Sequence, residues 1–164
     1  MFEAVDYVIR PLEPADEPIL WEMLYQALHT TPGEAAPPPE IVRRPEFARY
    51  VEGWGRPGDT GFVAHDAGEG LLLGAVWLRL PTREARQSGT AEGAIPELAF
   101  AVKSGHRGRG IGTALLTQLV RANPQYSAVS LNATANKPVL RLYERFGFRV
   151  VEQSADAIIL RREP

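Results

Sequence analysis

The sequence predicts an α/β (α+β) fold. It reads as one domain with a central, twisted, mixed and mostly antiparallel sheet of six or seven strands, flanked by about four helices. Three observations point to it. Strand-like and helix-like periods follow one another in the order β-α-α-β-β-β-α-β-α-β-β. The strand–helix–strand run over 97–133 is a parallel crossover, because parallel neighbours need a long connection. The chain has 164 residues, 45% apolar and 23% charged, which suits one buried core. No repeat, low-complexity tail or second core interrupts 1–164, so the whole chain is expected to form a single domain.

Each element has a local reason. Tyr7–Arg10 is a short strand stopped by Pro11. In "PADEPILWEMLYQALH", Asp16 suits a helix N-cap and Pro18 the first turn, while Ile19, Leu20, Met23, Leu24, Ala27 and Leu28 keep helical spacing. "TTPGEAAPPP" breaks that helix. A second helix is expected from about Pro45, with Phe47, Tyr50, Val51 and Trp54 on one face and Gly55 ending it. "GFVAHD" and "LLLGAVWLRL" are strands joined by "AGEG", a hairpin signal. After the polar loop 81–93 comes the strand "ELAFAV", 97–102. A helix follows to about Ala122, where "NP" ends it, and then the strand "AVSLNA". "KPVLRLYERF" is a helix carrying Val139, Leu140, Leu142, Tyr143 and Phe146 as its apolar side, and "FRVVEQ" and "AIILRR" close the chain as strands.

Composition removes several function classes. With a formal net charge of −2, no overall basic field draws the chain to nucleic acid or anionic lipid, so neither partner is expected. The absence of cysteine excludes disulfides, thiolate metal sites and a cysteine nucleophile. His29, His65 and His106 lack metal-ligand spacing, so no metal is expected. "MFEAVDYVIRP" has no apolar core of a secretory signal, and no apolar run approaches the roughly 18 residues of a membrane span, so a cytoplasmic location is expected.

The chemistry concentrates in "RGRGIGTALL", 107–116. A helix start exposes backbone N–H groups and carries partial positive charge. Glycines let a loop present those groups inward, so strand, glycine loop and helix together make a phosphate cradle. Arg107 and Arg109 make the spot cationic in a slightly acidic chain. Ile111, Leu115 and Leu119 then align on one helix face. A P-loop would need a lysine that is missing, and the dinucleotide pattern would need glycine at Leu115. R-x-x-G-x-G fits as Arg107, Gly110 and Gly112. Read without further context, the same residues also make a solvated glycine-rich turn or a short arginine–glycine RNA contact.

With that pattern the chain resembles the GNAT superfamily of acetyl-CoA-dependent N-acetyltransferases. "NKPVLRLYERFGF" is similar to the family's second signature through Asn136, Leu142, Tyr143, Gly147 and Phe148, with Val139 where alanine is usual. The resemblance implies that Arg107, Gly108, Arg109, Gly110, Ile111, Gly112 and Thr113 hold the pyrophosphate of acetyl-CoA. It implies that Asn136 touches the pantetheine arm and that the strand residues Phe100, Ala101 and Val102 offer backbone groups to the acetyl and pantetheine part. An N–H of that strand aimed at the thioester carbonyl would stabilise the developing oxyanion. Ser104 stands where that strand is usually followed by proline. Tyr143 is implied as the general acid for the leaving thiolate, the alternative being a core tyrosine, and Asn136 is equally a helix cap.

Glu97 opens the strand where several members of the family carry a base. Strand alternation puts Glu97, Ala99 and Ala101 on one face and Leu98, Phe100 and Val102 on the other. Glu97, a water held by it, or more weakly Glu92 would take the amine's proton, and burial would suit Glu97 to the task. His106, Lys137 and Arg141 read as surface groups with phosphate contact as their alternative. The implied function is acetyl transfer from acetyl-CoA to a primary amine, on a small molecule or a peptide, by direct attack in a ternary complex. The alternative is a non-catalytic acyl-CoA-binding module of the same fold. Segments 30–56 and 81–93 would line the acceptor site. Their mixed acids and arginines select neither a polycation nor a plain amino acid, and the oligomeric state, a homodimer included, stays open.

Overall fold

A computed structural model describes residues 7–28, 37–80, 95–103, 110–124, 126–132, 137–154 and 157–162. The strands are β1 (Tyr7–Pro11), β2 (Thr60–Asp66), β3 (Leu72–Arg79), β4 (Glu97–Val102), β5 (Ala128–Asn132), β6 (Phe148–Gln153) and β7 (Ala157–Arg162). They form one sheet in the order β1-β2-β3-β4-β5-β7-β6. Every neighbouring pair is antiparallel except β4 and β5, the pair joined by the crossover. The helices are α1 (Glu17–Leu28), α2 (Pro45–Ala48), α3 (Ile111–Ala122) and α4 (Lys137–Arg145), with 3-10 turns at Pro14–Asp16 and Pro39–Arg43. The element order is the expected one, and no helix among the described residues is long and apolar enough to cross a membrane.

The sheet carries a core on each face. Val63, Ala75, Trp77, Ala99 and Ala101 pack under Leu20, Met23 and Leu24 of α1. Val76, Leu78, Leu98 and Val102 pack under Ile111, Leu115, Leu116 and Leu119 of α3 on the other face. The alternation expected for β4 is therefore the one observed. Between β2 and β3 the chain turns at 67–70, where Gly70 takes φ +73° and its N–H donates to the Asp66 carbonyl at 2.8 Å.

Three local expectations are corrected. Asp16 does not cap α1 as a free N-cap. It is buried, accepts from the Glu13 N–H at 2.7 Å and binds Arg10 through two contacts of 2.8 and 2.9 Å, so it closes the turn before the helix. The second helix is one turn long rather than reaching Gly55. The carbonyls that would continue it are taken by side chains. Arg79 Nη1 donates to the carbonyls of Arg49 and Glu52 at 3.2 and 2.6 Å, and Trp77 Nε1 donates to that of Tyr50 at 2.8 Å. Tyr50, Val51 and Trp54 are still buried, as the spacing required. On α4, Tyr143 is buried while Leu140, Leu142 and Phe146 are half-buried, so the helix is less enclosed than its sequence suggests.

Arg79 is the charged end of a strand whose other core-facing side chains are apolar. Its side chain is 2% exposed, and its Nε lies 3.1 Å from Oδ1 of Asp59, itself 3% exposed. Asp59 also accepts from the N–H groups of Gly55 and Arg56 at 3.0 and 2.9 Å. Burial pulls the Arg79 guanidinium below its usual pKa, and the Asp59 carboxylate opposes that pull. Together the two residues tie β3 to the 49–59 turn.

Candidate active site

β4 and β5 run parallel but share one register position, Glu97 opposite Ser130, with the Ser130 N–H bound to the Pro96 carbonyl at 2.9 Å. No further pair joins them among the described residues, so their carboxyl ends diverge. In sheets with parallel strands, a gap at the carboxyl ends where the topology switches is the ordinary place for a ligand. Which backbone groups face this gap follows from the β3–β4 ladder. Lys103 N–H donates to the Leu73 carbonyl at 2.8 Å, so by alternation Ala99 and Ala101 turn their polar groups to β3. Leu98, Phe100 and Val102 turn theirs toward β5. Ala101 thus presents its side chain to the α1 face rather than its backbone to the gap.

Gly110 and Gly112 stand at the mouth of the gap for different reasons. Gly110 takes φ +82° as the N-cap of α3, and a Cβ built on it meets nothing within 4 Å. Its carbonyl accepts the first helical bond, from Ala114 at 3.0 Å. The N–H groups of Ile111, Gly112 and Thr113 therefore have no intrahelical acceptor, and no acidic side chain sits in the first turn. Gly112 is needed for packing, since a Cβ there would lie 2.7 Å from Cζ of Phe100. The contact brings the strand residue Phe100 and the first turn of α3 together. Arg107, Gly108, Arg109, His106, Ser104, Asn136 and Glu92 lie outside the described residues.

Glu97 sits at the base of the gap on the α1 face, with its side chain 14% exposed. Burial pushes its carboxyl above the usual carboxylate range, and Arg49, Arg56 and Arg79 act against that shift. The nearest is Arg49, whose Nη2 lies 2.8 Å from Oε2 of Glu97. Tyr143 lies on the other face, among Leu78, Leu119, Val120, Asn123, Tyr126, Val129 and Phe148. Its ring meets Phe148 edge-on, with centroids 5.2 Å apart. Among the described residues its hydroxyl is buried without a hydrogen-bond partner, and burial pushes its pKa well above the usual tyrosine value. Arg141 is exposed on α4. The sheet thus separates Glu97 from Tyr143 and does not bring them into contact. Arg56 and Arg79 near Glu97 escaped the sequence reading, which placed Arg49 among the charges of the acceptor-side segment 30–56. Their one signal was Arg79 at a core-facing position of an apolar strand, which demands a buried partner.

The chain matches the model of the acetyltransferase (GNAT) family over residues 21–148. No curated protein matches it. Among solved structures it is similar to a putative GNAT-family acetyltransferase from Bordetella pertussis, at 25% identity and a TM-score of 0.60, covering 99% of this chain and 98% of that one. It shares its fold with a putative acetyltransferase from Salmonella typhimurium solved with its cofactor acetyl-CoA, at 16% identity and a TM-score of 0.63, covering 97% and 95%. It also shares it with an N-acetyltransferase from Thermoplasma acidophilum in complex with coenzyme A, at 16% identity and a TM-score of 0.65, covering 97% and 99%.

Proposed function

The chain belongs to the acetyltransferase (GNAT) family, and from that premise we propose that it moves an acetyl group from acetyl-CoA to a primary amine by direct attack in a ternary complex. The observation that carries this reading is the β4–β5 gap above Glu97 and Ser130, with the open helix start of Gly110–Thr113 at its mouth. No cysteine exists to hold the acetyl group between two half-reactions. Bound acetyl-CoA supplies a thioester carbonyl for the amine to attack. The N–H groups of Ile111, Gly112 and Thr113, with the loop Arg107–Gly110, hold the diphosphate. Phe100 and Val102 direct backbone groups along the gap, where an N–H stabilises the charge that develops on the carbonyl oxygen. Asn136 holds the pantetheine arm.

Glu97 takes the proton of the acceptor amine, directly or through a water. Its raised pKa brings its proton affinity closer to that of a working base. Tyr143 keeps its proton because burial disfavours the phenolate, and it delivers that proton to the departing thiolate.

Calorimetry with acetyl-CoA and ATP side by side, followed by thiol release with an amine panel, tests the reading. Acetyl-CoA binding with transfer is the expected result. Binding without transfer to any amine would establish the non-catalytic module instead, and preference for ATP would remove the coenzyme A assignment.

Two variants probe the acid and the base. Tyr143→Phe is expected to lower kcat by about 100-fold with acetyl-CoA affinity unchanged. Its thermal stability should stay equal or rise, since the change deletes a buried hydroxyl that lacks a partner. Full activity in this variant would remove Tyr143 from the mechanism. The base titrates with a sign that can be stated. Glu97 regains its proton at a pH above the ordinary carboxylate range, so kcat/KM falls as the solution is acidified through that point. Arg49→Ala deletes a positive charge that opposes the shift, so the acid limb should move to higher pH. An unmoved limb would assign proton removal to a group other than Glu97.

A further inference from the structure

The surroundings of Glu97 describe the acceptor. Arg49 Nη2 and Glu97 Oε2 form a contact of 2.8 Å, and the Arg49 guanidinium stacks over the Tyr50 ring with its carbon 5.2 Å from the centroid. Arg49 is 43% exposed, so solvent and solutes reach it. Its backbone is fixed from below, because the buried Arg79 guanidinium holds the Arg49 and Glu52 carbonyls. Arg56 and Arg79 also act on Glu97, while among the described residues Asp59 is ion-paired to Arg79 and Glu17 also acts on it. Among the described residues, the charges that act on Glu97 itself are those of three arginines. A polycationic acceptor meets repulsion there, because each further ammonium group adds a like charge. An α-amino acid meets the reverse. It carries an ammonium and a carboxylate on one carbon, the charge complement of a Glu97–Arg49 pair already in contact.

We propose that the acceptor is a small α-amino acid whose carboxylate takes Arg49 while its amine takes Glu97. This rests on the transferase reading of the same gap. Arg49 is then the specificity-determining residue, and binding exchanges its contact with Glu97 for one with the acceptor. That exchange releases the carboxylate to accept the amine's proton. The guanidinium's planar fork suits a carboxylate better than an ammonium group would.

Transfer is followed as thiol release with a panel of free α-amino acids, each beside its own carboxamide, while acetyl-CoA binding is measured by calorimetry on the same protein. The expected result is that kcat/KM for at least one amino acid exceeds that of its amide by about tenfold or more, the scale of one hydrogen bond to a charged group. Arg49→Ala should bring that ratio near one by lowering the amino-acid arm, and Arg49→Lys should keep part of it. A ratio of one or below in the parent, or a ratio unchanged in Arg49→Ala, overturns the proposal. So does acetyl-CoA binding with transfer to no amino acid in the panel, which leaves the transferase reading standing. Absence of acetyl-CoA binding overturns both.

Discussion

Replacing Asp59 by alanine is expected to lower stability by about 3–5 kcal/mol, the cost of leaving a buried charge without its partner. For a chain of this size that corresponds to a fall in melting temperature of roughly 6–20 °C. The reason is specific to Arg79. Its guanidinium is 2% exposed, and among the described residues one of its nitrogens, Nη2, already lacks a hydrogen-bond partner. Removing Asp59 deletes the one carboxylate bound to it among the described residues and frees the Gly55 and Arg56 N–H groups as well. Arg79→Met should cost a similar amount, because it leaves the 3%-exposed Asp59 carboxylate without its cation and the Arg49 and Glu52 carbonyls without their donor. Combining Arg79→Met with Asp59→Leu should recover much of the loss, since apolar replacement of a whole buried pair is often neutral. Calorimetric melting of the parent, Arg79→Met, Asp59→Leu and the double variant gives the coupling directly. A drop in Asp59→Ala below about 1 kcal/mol, the range of exposed pairs, would show that the contact is no more than a surface one.

Gly110→Val should abolish measurable acetyl-CoA binding while the protein still folds. Two effects act together. A φ of +82° costs a residue with a Cβ about 1–2 kcal/mol. The valine side chain also adds bulk at the start of α3, where the Ile111, Gly112 and Thr113 N–H groups lack intrahelical acceptors. Losing two charge-assisted hydrogen bonds to phosphate raises the dissociation constant by about 100-fold or more. Gly110→Asn separates the two effects, because asparagine tolerates the left-handed region. Its melting temperature should stay close to the parent's while binding still weakens. The surrounding space is open, with nothing within 4 Å of a built Cβ, so packing alone gives no reason to lose the fold. Unchanged affinity in both variants would remove the helix start of α3 from the binding site.

Much of the architecture was legible because punctuation and period agree. β4, β6 and β7 begin and end where alternation says, and α3 runs from the residue after Gly110 to the residue before Asn123. Gly147, at φ +90°, ends α4 as a C-terminal glycine should. The misreading of α2 has one cause. Phe47, Tyr50, Val51 and Trp54 have helical spacing, but backbone hydrogen bonding there is decided by Arg79 and Trp77, which arrive from a distant strand. Periodicity reports which side chains are buried and is silent about who takes the carbonyls. The site divides in the same way. The face of Glu97 followed from counting by two, whereas Arg49 beside it depends on how the 49–53 turn folds back. Gly112 shows a third limit. The motif marks it as a ligand-facing glycine, and the neighbour a Cβ there would meet is the ring of Phe100.

Among the described residues a single rung, Glu97 opposite Ser130, joins β4 to β5 and makes the seven strands one sheet. Elsewhere the two ladders, β1 to β4 and β5 to β6, are closed among themselves. A molecule that lies along the gap and hydrogen-bonds to both lips therefore acts as a removable eighth strand. Folding and donor occupancy are then thermodynamically linked, and a donor at 100 times its dissociation constant adds about 2.7 kcal/mol to stability. Amides flanking the rung should exchange with solvent as the slowest group when the donor is bound and as two independent sets when it is not.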